Sequence, residues 1–244
     1  MCEPGLSGSW ILWISEILVK LMQKIGQDLT MHLDHLSYVA SHDRLLDEVQ
    51  RIGARLGSSF KDGGIHPRFG TRNFTLALEG GRYLEIVCPL DHPAADESPF
   101  GKIVSARVRD GGGWLGWVLS VADIKIYEKR LDRESVEGQR RHPSGKELKW
   151  KQIGVLGTLE DRQLPFFIQW LTSEHPSTES DAVAKITKLE IAGNETRLRD
   201  WIGEDFGSSL DGIEIKWIDP SQNNNETGIL AVDFSTRNGT FRLD

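Results

Sequence analysis

The chain has 244 residues, with 29 Lys and Arg against 36 Asp and Glu and a formal net charge of −7. Its 39% hydrophobic and 27% charged residues are typical of a soluble globular protein and exclude a disordered, fibrous or membrane class. The net negative charge argues against nucleic acid as a partner, because phosphate binding requires clustered cations. Two cysteines cannot form a disulfide framework, so the sequence predicts a reducing, cytoplasmic location.

The first thirty residues differ in pattern from the rest of the chain. Between Trp10 and Ile25, apolar side chains are interrupted by polar ones at helical spacing, which predicts an amphipathic helix over part of residues 1–30. The apolar run is too short for a membrane span. A signal peptide is also a poor fit, because no cation precedes the apolar run and no small-residue cleavage site follows it. Three interpretations stay open: docking on the protein's own surface, contact with a membrane or partner, or a leader ahead of a start at Met31.

From residue 31 onward, one order of elements recurs. The first unit is predicted as βαβββ, with the elements His32–Ala40, Asp43–Leu56, Ser58–Phe60 (weak), Asn73–Leu78 and Tyr83–Cys88. A glycine-rich loop over 63–70 is expected between the weak strand Ser58–Phe60 and the strand Asn73–Leu78. The second unit follows a Pro- and acid-rich connection and a short helix, and is predicted as βαββ(β), with the elements Trp114–Val121, Ala122–Arg133, Glu147–Val155 and Leu164–Leu171.

The third unit repeats the order more loosely. Its predicted strands are Ile186–Ala192, Ile213–Ile218, Gly228–Phe234 and Gly239–Leu243. Asn194 is a good N-cap for the helix between the first two strands, and Gly203 ends it. The sequence therefore predicts an α+β protein with mixed sheets, built from a two-module domain over residues 31–176 and a third βαβββ-like module over residues 184–244.

Four short motifs resemble a known family. The strands Leu33–Ala40 and Gly81–Val87 are similar to the opening and closing strands of a module in the vicinal oxygen chelate superfamily. The segments Gly70–Phe74 and Leu164–Trp170 resemble its glyoxalase-like domain proteins. The resemblance implies that two βαβββ modules pair into a cupped sheet with the site inside the cup. It also implies that the opening strand brings a His, and the closing strand a Glu, to a metal.

His35 and Glu85 are the candidate metal ligands of the first module. A His with a carboxylate suits a divalent ion such as Zn, Mn, Fe or Ni. Glu85 lies in an apolar strand, a costly placement unless the carboxylate is paired, ligated or facing a wet cavity. The residues alone equally allow His35 to be a core histidine and Glu85 to bond Arg72 or a backbone amide.

The second module offers fewer ligands. Alignment of the two predicted helices places Leu115 opposite His35, and Gln169 falls opposite Glu85 with one residue of slack. The predicted metal set is therefore His35, Glu85 and Gln169 at most, whereas the superfamily usually takes two ligands from each module. Lys188 takes the equivalent place in the third unit and does not bind a divalent cation. The sequence leaves open one divalent metal or none.

Three functions follow from these features. The first is a small-molecule enzyme of the superfamily's lyase, isomerase or dioxygenase type, with Glu85 as catalytic ligand or base. The second is a metal-free, non-catalytic module that sequesters a small organic ligand. The third is an oligomeric interaction protein, in which the third unit contacts a partner in a homodimer. The residues predicted to contact the small molecule are Asn73, Trp117, Phe167 and Trp170.

Overall fold

A computed structural model describes residues 31–142, 145–203 and 209–244, so the amphipathic helix or leader predicted for residues 1–30 lies outside the described residues. The strands in chain order are β1 (His32–Val39), β2 (Lys61–His66), β3 (Thr71–Leu78), β4 (Arg82–Pro89), β5 (Gly113–Ser120), β6 (Val136–Arg141), β7 (Glu147–Ile153), β8 (Phe166–Trp170), β9 (Ala184–Ala192), β10 (Ser209–Leu210), β11 (Ile213–Ile218), β12 (Gly228–Thr236) and β13 (Gly239–Leu243). The helices are α1 (Leu45–Leu56), α2 (Pro93–Glu97), α3 (Pro99–Arg109), α4 (Lys125–Leu131), α5 (Val155–Glu160) and α6 (Glu195–Ile202), with 3₁₀ turns at Pro176–Thr178 and Pro220–Asn223. No helix in the described ranges is long and apolar enough to cross a membrane.

Eight strands close into a barrel in the order β1-β4-β3-β2-β6-β7-β8-β5. In the first module β1 runs parallel to β4, and β3 lies antiparallel between β4 and β2. The second module repeats this pairing with β5, β8, β7 and β6. Antiparallel seams between β1 and β5 and between β2 and β6 join the modules. The predicted cupped sheet of two βαβββ modules is confirmed, and the cup is closed all the way round.

Alternation along the strands sorts side chains between two cores. One cluster lies inside the barrel, where α3 contributes Phe100, Ile103 and Val104 next to inward-facing valines. The larger cluster lies outside it, between the barrel strands, α1 and a second sheet. The interior is thus covered at one end by α3, while α1 and the second sheet pack against part of the outer face.

The third unit forms this second sheet, in the order β10-β11-β9-β12-β13. Its chain order matches the prediction, but its pairing differs from that of the barrel modules. In the barrel, the first strand of each module pairs parallel with the last. In the third unit, β9 pairs parallel with β11, which follows α6 and the short β10, and antiparallel with β12. The unit is therefore an open sheet on the barrel wall. Lys188 and Asp233 are cross-strand neighbours there, with Nζ and Oδ2 2.7 Å apart.

The strand β2 replaces part of the glycine-rich loop that the sequence predicts. Gly64 has φ +96°, and a Cβ on it would lie 1.9 Å from the carbonyl oxygen of Arg141 in β6. Gly64 therefore allows two backbones to approach closely at the seam between the modules, and it does not interrupt the strand. The weak strand expected at Ser58–Phe60 is shifted to Lys61–His66.

Candidate active site

The barrel interior contains a partly open pocket, whose empty space is about 400 Å³ when the open solvent at its mouth is included. Its apolar wall is formed by Phe69, Phe100, Trp150, Phe166, Ile168 and Trp170. Its polar wall is formed by His35, His66, Asn73, Glu85, Arg140 and Gln152. A concave, largely aromatic space with a few convergent polar groups is the usual form of a small-molecule site.

Glu85 lies on β4, and its carboxylate is buried in the barrel with 4% of the residue exposed. Ser37 Oγ donates a hydrogen bond to Oε2, and Asn73 Nδ2 donates one to Oε1, both at 2.7 Å. Arg72, a partner that the sequence allowed, pairs with Asp62 instead. Both carboxylate oxygens therefore accept hydrogen bonds from the wall of the first module and remain beside the empty space.

His35 lies on β1 with its ring stacked on Tyr83 at a centroid distance of 4.3 Å. Its Nδ1 lies 2.6 Å from Oδ1 of Asp34, so Nδ1 carries a proton and donates it to that carboxylate. Its Nε2 lies 4.0 Å from Oε2 of Glu85, beyond hydrogen-bond distance. The imidazole and the carboxylate thus face each other across a gap.

Asp34 joins three segments of the chain. In addition to His35, its carboxylate accepts hydrogen bonds from Trp170 Nε1 at 2.9 Å and His175 Nε2 at 3.2 Å. Burial opposes ionisation of Asp34, but hydrogen bonds from His175 and His35 outweigh it and hold the pKa of the carboxyl well below its usual range. Asp34 can contact the ring of its neighbour His35 because a register shift interrupts β1 between Leu33 and His35. Sequence reasoning missed Asp34, since neighbours on a regular strand face opposite sides.

Two further polar residues were not predicted for the site. Burial lowers the pKa of His66 to about 4, although nearby Glu85 acts in the opposite direction, and the His66 ring contacts Thr71 Oγ1 at 3.0 Å. Arg140 is buried inside the barrel and forms an ion pair with Glu179. Alternation along β6 turns Arg140 inward, so that it is buried beside the exposed Arg141. The signal available in the sequence was this two-residue period.

The structure brings four of the predicted site residues together: His35, Glu85, Asn73 and Trp170 line one space. It places Trp117 and Phe167 outside the barrel, where both are fully buried in the core. Trp117 Nε1 donates to the carbonyl of Gln163 at 2.9 Å, and Phe167 stacks on Tyr127 at 3.9 Å. These two aromatics therefore do not contact the cavity.

Gln169 also lies on the outer face of the barrel. Its Oε1 accepts from the backbone of Ile124, and its Nε2 donates to the carbonyl of Ala122, so both ends of the amide are used there. The structure does not bring Gln169 to His35 and Glu85.

The strand register identifies the true counterparts in the second module. His35 pairs with Tyr83 in the β1–β4 ladder, and Val118 pairs with Phe166 in the matching β5–β8 ladder. Val118 therefore stands at the position of His35, where the sequence alignment put Leu115. Two residues along β8 from Phe166, Ile168 stands at the position of Glu85.

These placements test whether the residues fit a divalent metal. The second module presents apolar side chains at the ligand positions, and the described parts of the chain contain no group of three or more His, Cys, Asp or Glu residues able to hold an ion. Zinc sites in proteins normally take three or four protein ligands. His35 and Glu85 alone do not fit a resident metal, and Glu85 is already held by two hydrogen bonds.

Comparison with known proteins gives a family and a fold. The family model of the glyoxalase-like domain matches residues 33–204. A hypothetical protein from Staphylococcus aureus has a TM-score of 0.63 at 15% identity, with 88% of this chain and 99% of that chain covered. Methylmalonyl-CoA epimerase from Mycobacterium tuberculosis has a TM-score of 0.38 at 16% identity, with 57% of this chain and 86% of that chain covered.

A variant of the Streptomyces coelicolor methylmalonyl-CoA epimerase has a TM-score of 0.39 at 14% identity, with 61% of this chain and 99% of that chain covered. None of the curated proteins matches. The Staphylococcus aureus protein shares the fold over most of both chains. Because the family model spans well over half of the sequence, this chain belongs to the glyoxalase-like domain family.

Proposed function

We propose that this protein binds a small, neutral organic molecule inside the barrel without a resident metal, with His35 and Glu85 contacting its polar atoms. One observation carries the proposal: His35 Nε2 faces Glu85 Oε2 across 4.0 Å and has no hydrogen-bond partner among the described residues, although the residue is buried. Buried polar groups are normally satisfied. A donor group of the ligand would satisfy Nε2 and could also reach Glu85, while the aromatic wall would contact the apolar part of the ligand.

The charges around the cavity favour a neutral ligand. Asp34, Glu85 and Glu179 contribute carboxylates, whereas Arg140 contributes one guanidinium, already paired with Glu179. An anionic ligand would therefore enter a region with a surplus of negative charge, which is costly away from water. Arg140 Nε is buried with no hydrogen-bond partner among the described residues, so it can donate to a carbonyl or hydroxyl oxygen of the ligand.

A second candidate function, proton transfer on the bound molecule, is favoured by the contact between Asp34 and His35. Asp34 accepts a hydrogen bond from Nδ1–H, which leaves the unprotonated Nε2 directed at the cavity. Glu85 would accept a proton from the ligand and pass it to Nε2. The imidazolium so formed, stabilised by Asp34, would return that proton to another atom of the ligand, so both groups end as they began. Binding of the same ligand precedes this reaction, so the first experiment concerns binding.

The test is a screen of small neutral and anionic organic fragments by ligand-observed NMR, followed by calorimetric titration of the hits. We expect neutral hits that compete for one site and that bind about tenfold more weakly to Glu85→Gln, the loss of one charge-assisted hydrogen bond. The matched control is Glu137→Gln, an exposed glutamate on β6 outside the cavity.

Measurement of the metal content distinguishes this proposal from the alternative of a metal-dependent enzyme. The number of metal ions bound per chain is measured in the purified protein and in samples incubated with Zn, Mn, Fe or Ni salts. His35→Ala is the control in each case. We expect neither stoichiometric binding of these metals nor a change in ligand affinity. One metal ion per chain that is lost in His35→Ala and required for ligand binding would overturn the metal-free proposal.

A further inference from the structure

A second, partly open pocket adjoins the first, and its empty space is about 450 Å³ when open solvent is included. It lies between the start of α3, the start of β6 and the link from β7 to α5. Phe69, Phe100 and Gln152 line both cavities, so the second begins where the barrel cavity ends. We call it the apolar groove, formed beyond these shared residues by Pro99, Val136, Ile153, Val155 and Leu156, with Arg133 and Glu134 at its rim.

The apolar groove keeps large aliphatic side chains in contact with water. Val136 is 38% exposed and Leu156 is 46% exposed, next to the buried Val155. At the junction, the Gln152 side chain accepts a hydrogen bond from Trp150 Nε1 at 2.8 Å, so its oxygen is already partnered. Contiguous exposed apolar side chains beside a cavity commonly mark a binding surface.

We infer that the apolar groove binds the apolar tail of the same molecule whose polar head lies between His35 and Glu85. This inference rests on the proposed function and defines its ligand class: a neutral, amphipathic molecule with a compact hydrogen-bonding head and a narrow hydrocarbon tail. The three shared wall residues support one occupant of both spaces. A narrow tail that passed Phe69 and Phe100 would occupy both spaces, whereas the surface of a second protein is too broad to enter the barrel.

The probes are straight-chain primary amides from butanamide to decanamide. The amide can donate to Glu85 and accept from Arg140, and the tail length is the only variable. Once the tail enters the apolar groove, each added methylene is expected to tighten binding about three- to fourfold, the factor that corresponds to ~0.8 kcal/mol per buried CH₂. Affinity is measured by calorimetric titration on the full-length protein.

Two matched substitutions on α5 locate the tail. Leu156→Glu places a charge in the apolar groove, while Leu159→Glu makes the same change at a residue with 43% exposure that lies outside it. We expect Leu156→Glu to abolish the dependence on tail length. Leu159→Glu should retain the dependence. Both residues are exposed, and thermal unfolding of each variant checks that the fold is kept.

The outcomes separate this inference from the proposed function. If butanamide binds and Glu85→Gln weakens it, but affinity does not increase with tail length, the groove inference is wrong and the cavity proposal stands. The groove inference is also overturned if the two α5 variants behave alike, or if Leu156→Glu only weakens association between copies of the chain in light scattering. Absence of binding by every amide overturns both.

Discussion

Asp34 is the buried residue that orders the candidate site. It accepts hydrogen bonds from His35, Trp170 and His175, which lie on β1, on β8 and in the segment after β8. We expect Asp34→Asn to lower the free energy of unfolding by about 2–3 kcal/mol. The substitution replaces one acceptor oxygen with an NH₂ group, which then faces an N–H donor of the neighbouring side chains and cannot accept its hydrogen bond. We also expect the ¹⁵N shifts of the His35 ring to show loss of the fixed Nδ1–H tautomer. Denaturant unfolding and histidine NMR measure the two effects, and Asp181→Asn, at an exposed site, is the control.

The contribution of Asp34 depends on pH in a defined direction. Because hydrogen bonds outweigh burial and lower its pKa in the folded protein, the stabilisation is complete above the unfolded carboxyl value of about 3.9 and is lost as the pH falls below it. The difference in unfolding free energy between wild type and Asp34→Asn should therefore be constant from about pH 5 to 7 and smaller near pH 3. An equal difference at pH 3 and pH 7 would contradict the hydrogen-bonding role.

The resemblance to the superfamily, together with alternation along regular strands, led to the candidate residues of the first module. It indicated His35 and Glu85, whose strands pair in simple register through Ser37 and Glu85, and both line the barrel cavity. It missed Asp34 because a register shift in β1 lets this residue contact its neighbour His35. It placed Gln169 one position out of phase, since loop lengths in the second module do not reveal the register that puts Ile168 inside.

At the scale of elements, α6 begins with a cap that the sequence predicted. Asn194 Oδ1 accepts hydrogen bonds from the backbone N–H groups of Thr196 and Arg197. We expect Asn194→Ala to lower the free energy of unfolding by about 1 kcal/mol, because two amide donors at the helix start lose their partner. Asn194→Ser should retain most of the stability, since a serine hydroxyl also caps. Equal losses in both variants would indicate that side-chain packing, and not capping, is responsible.

The order of elements was more predictable than their pairing. The third unit has the expected succession of strand, helix and strands, yet β9 pairs with β11 and β12. Pairing depends on which surface each strand covers, and the chain offers no local signal for that choice. The ion pair between Lys188 and Asp233 belongs to this open sheet, so a lysine at the position expected for a ligand reflects a surface network of charges.

For the whole molecule, the second sheet and the barrel share one hydrophobic core. Leu36 and Leu84 of the barrel belong to the same cluster as Leu189 and Phe234 of the second sheet. Polar contacts cross the same boundary, including the hydrogen bond from Trp114 Nε1 to the carbonyl of Leu243 at 3.2 Å. The division at residues 176–184 that the sequence suggests is therefore a boundary between modules that bury each other's surface. We infer that the two parts fold as one unit.

This inference predicts a single unfolding transition. Asp211, in the second sheet, accepts hydrogen bonds from the backbone N–H of Leu33 at 2.9 Å and from His32 Nδ1 at 3.0 Å, and pairs with Arg82 of the barrel. Asn at position 211 also tolerates the left-handed backbone at φ 53°, so Asp211→Asn removes the charge without straining the turn. We expect it to lower the free energy of unfolding by about 1–2 kcal/mol.

Indole NMR signals of Trp150 in the barrel and Trp217 in the second sheet provide two probes of that transition, followed through a urea titration. Because the two parts bury a common core, both signals should disappear at one midpoint in wild type, and both midpoints should fall together in Asp211→Asn. Loss of the Trp217 signal at a lower urea concentration than the Trp150 signal would show that the barrel folds without the second sheet. The same result would restore the two-domain division suggested by the sequence, since only independently stable parts unfold separately.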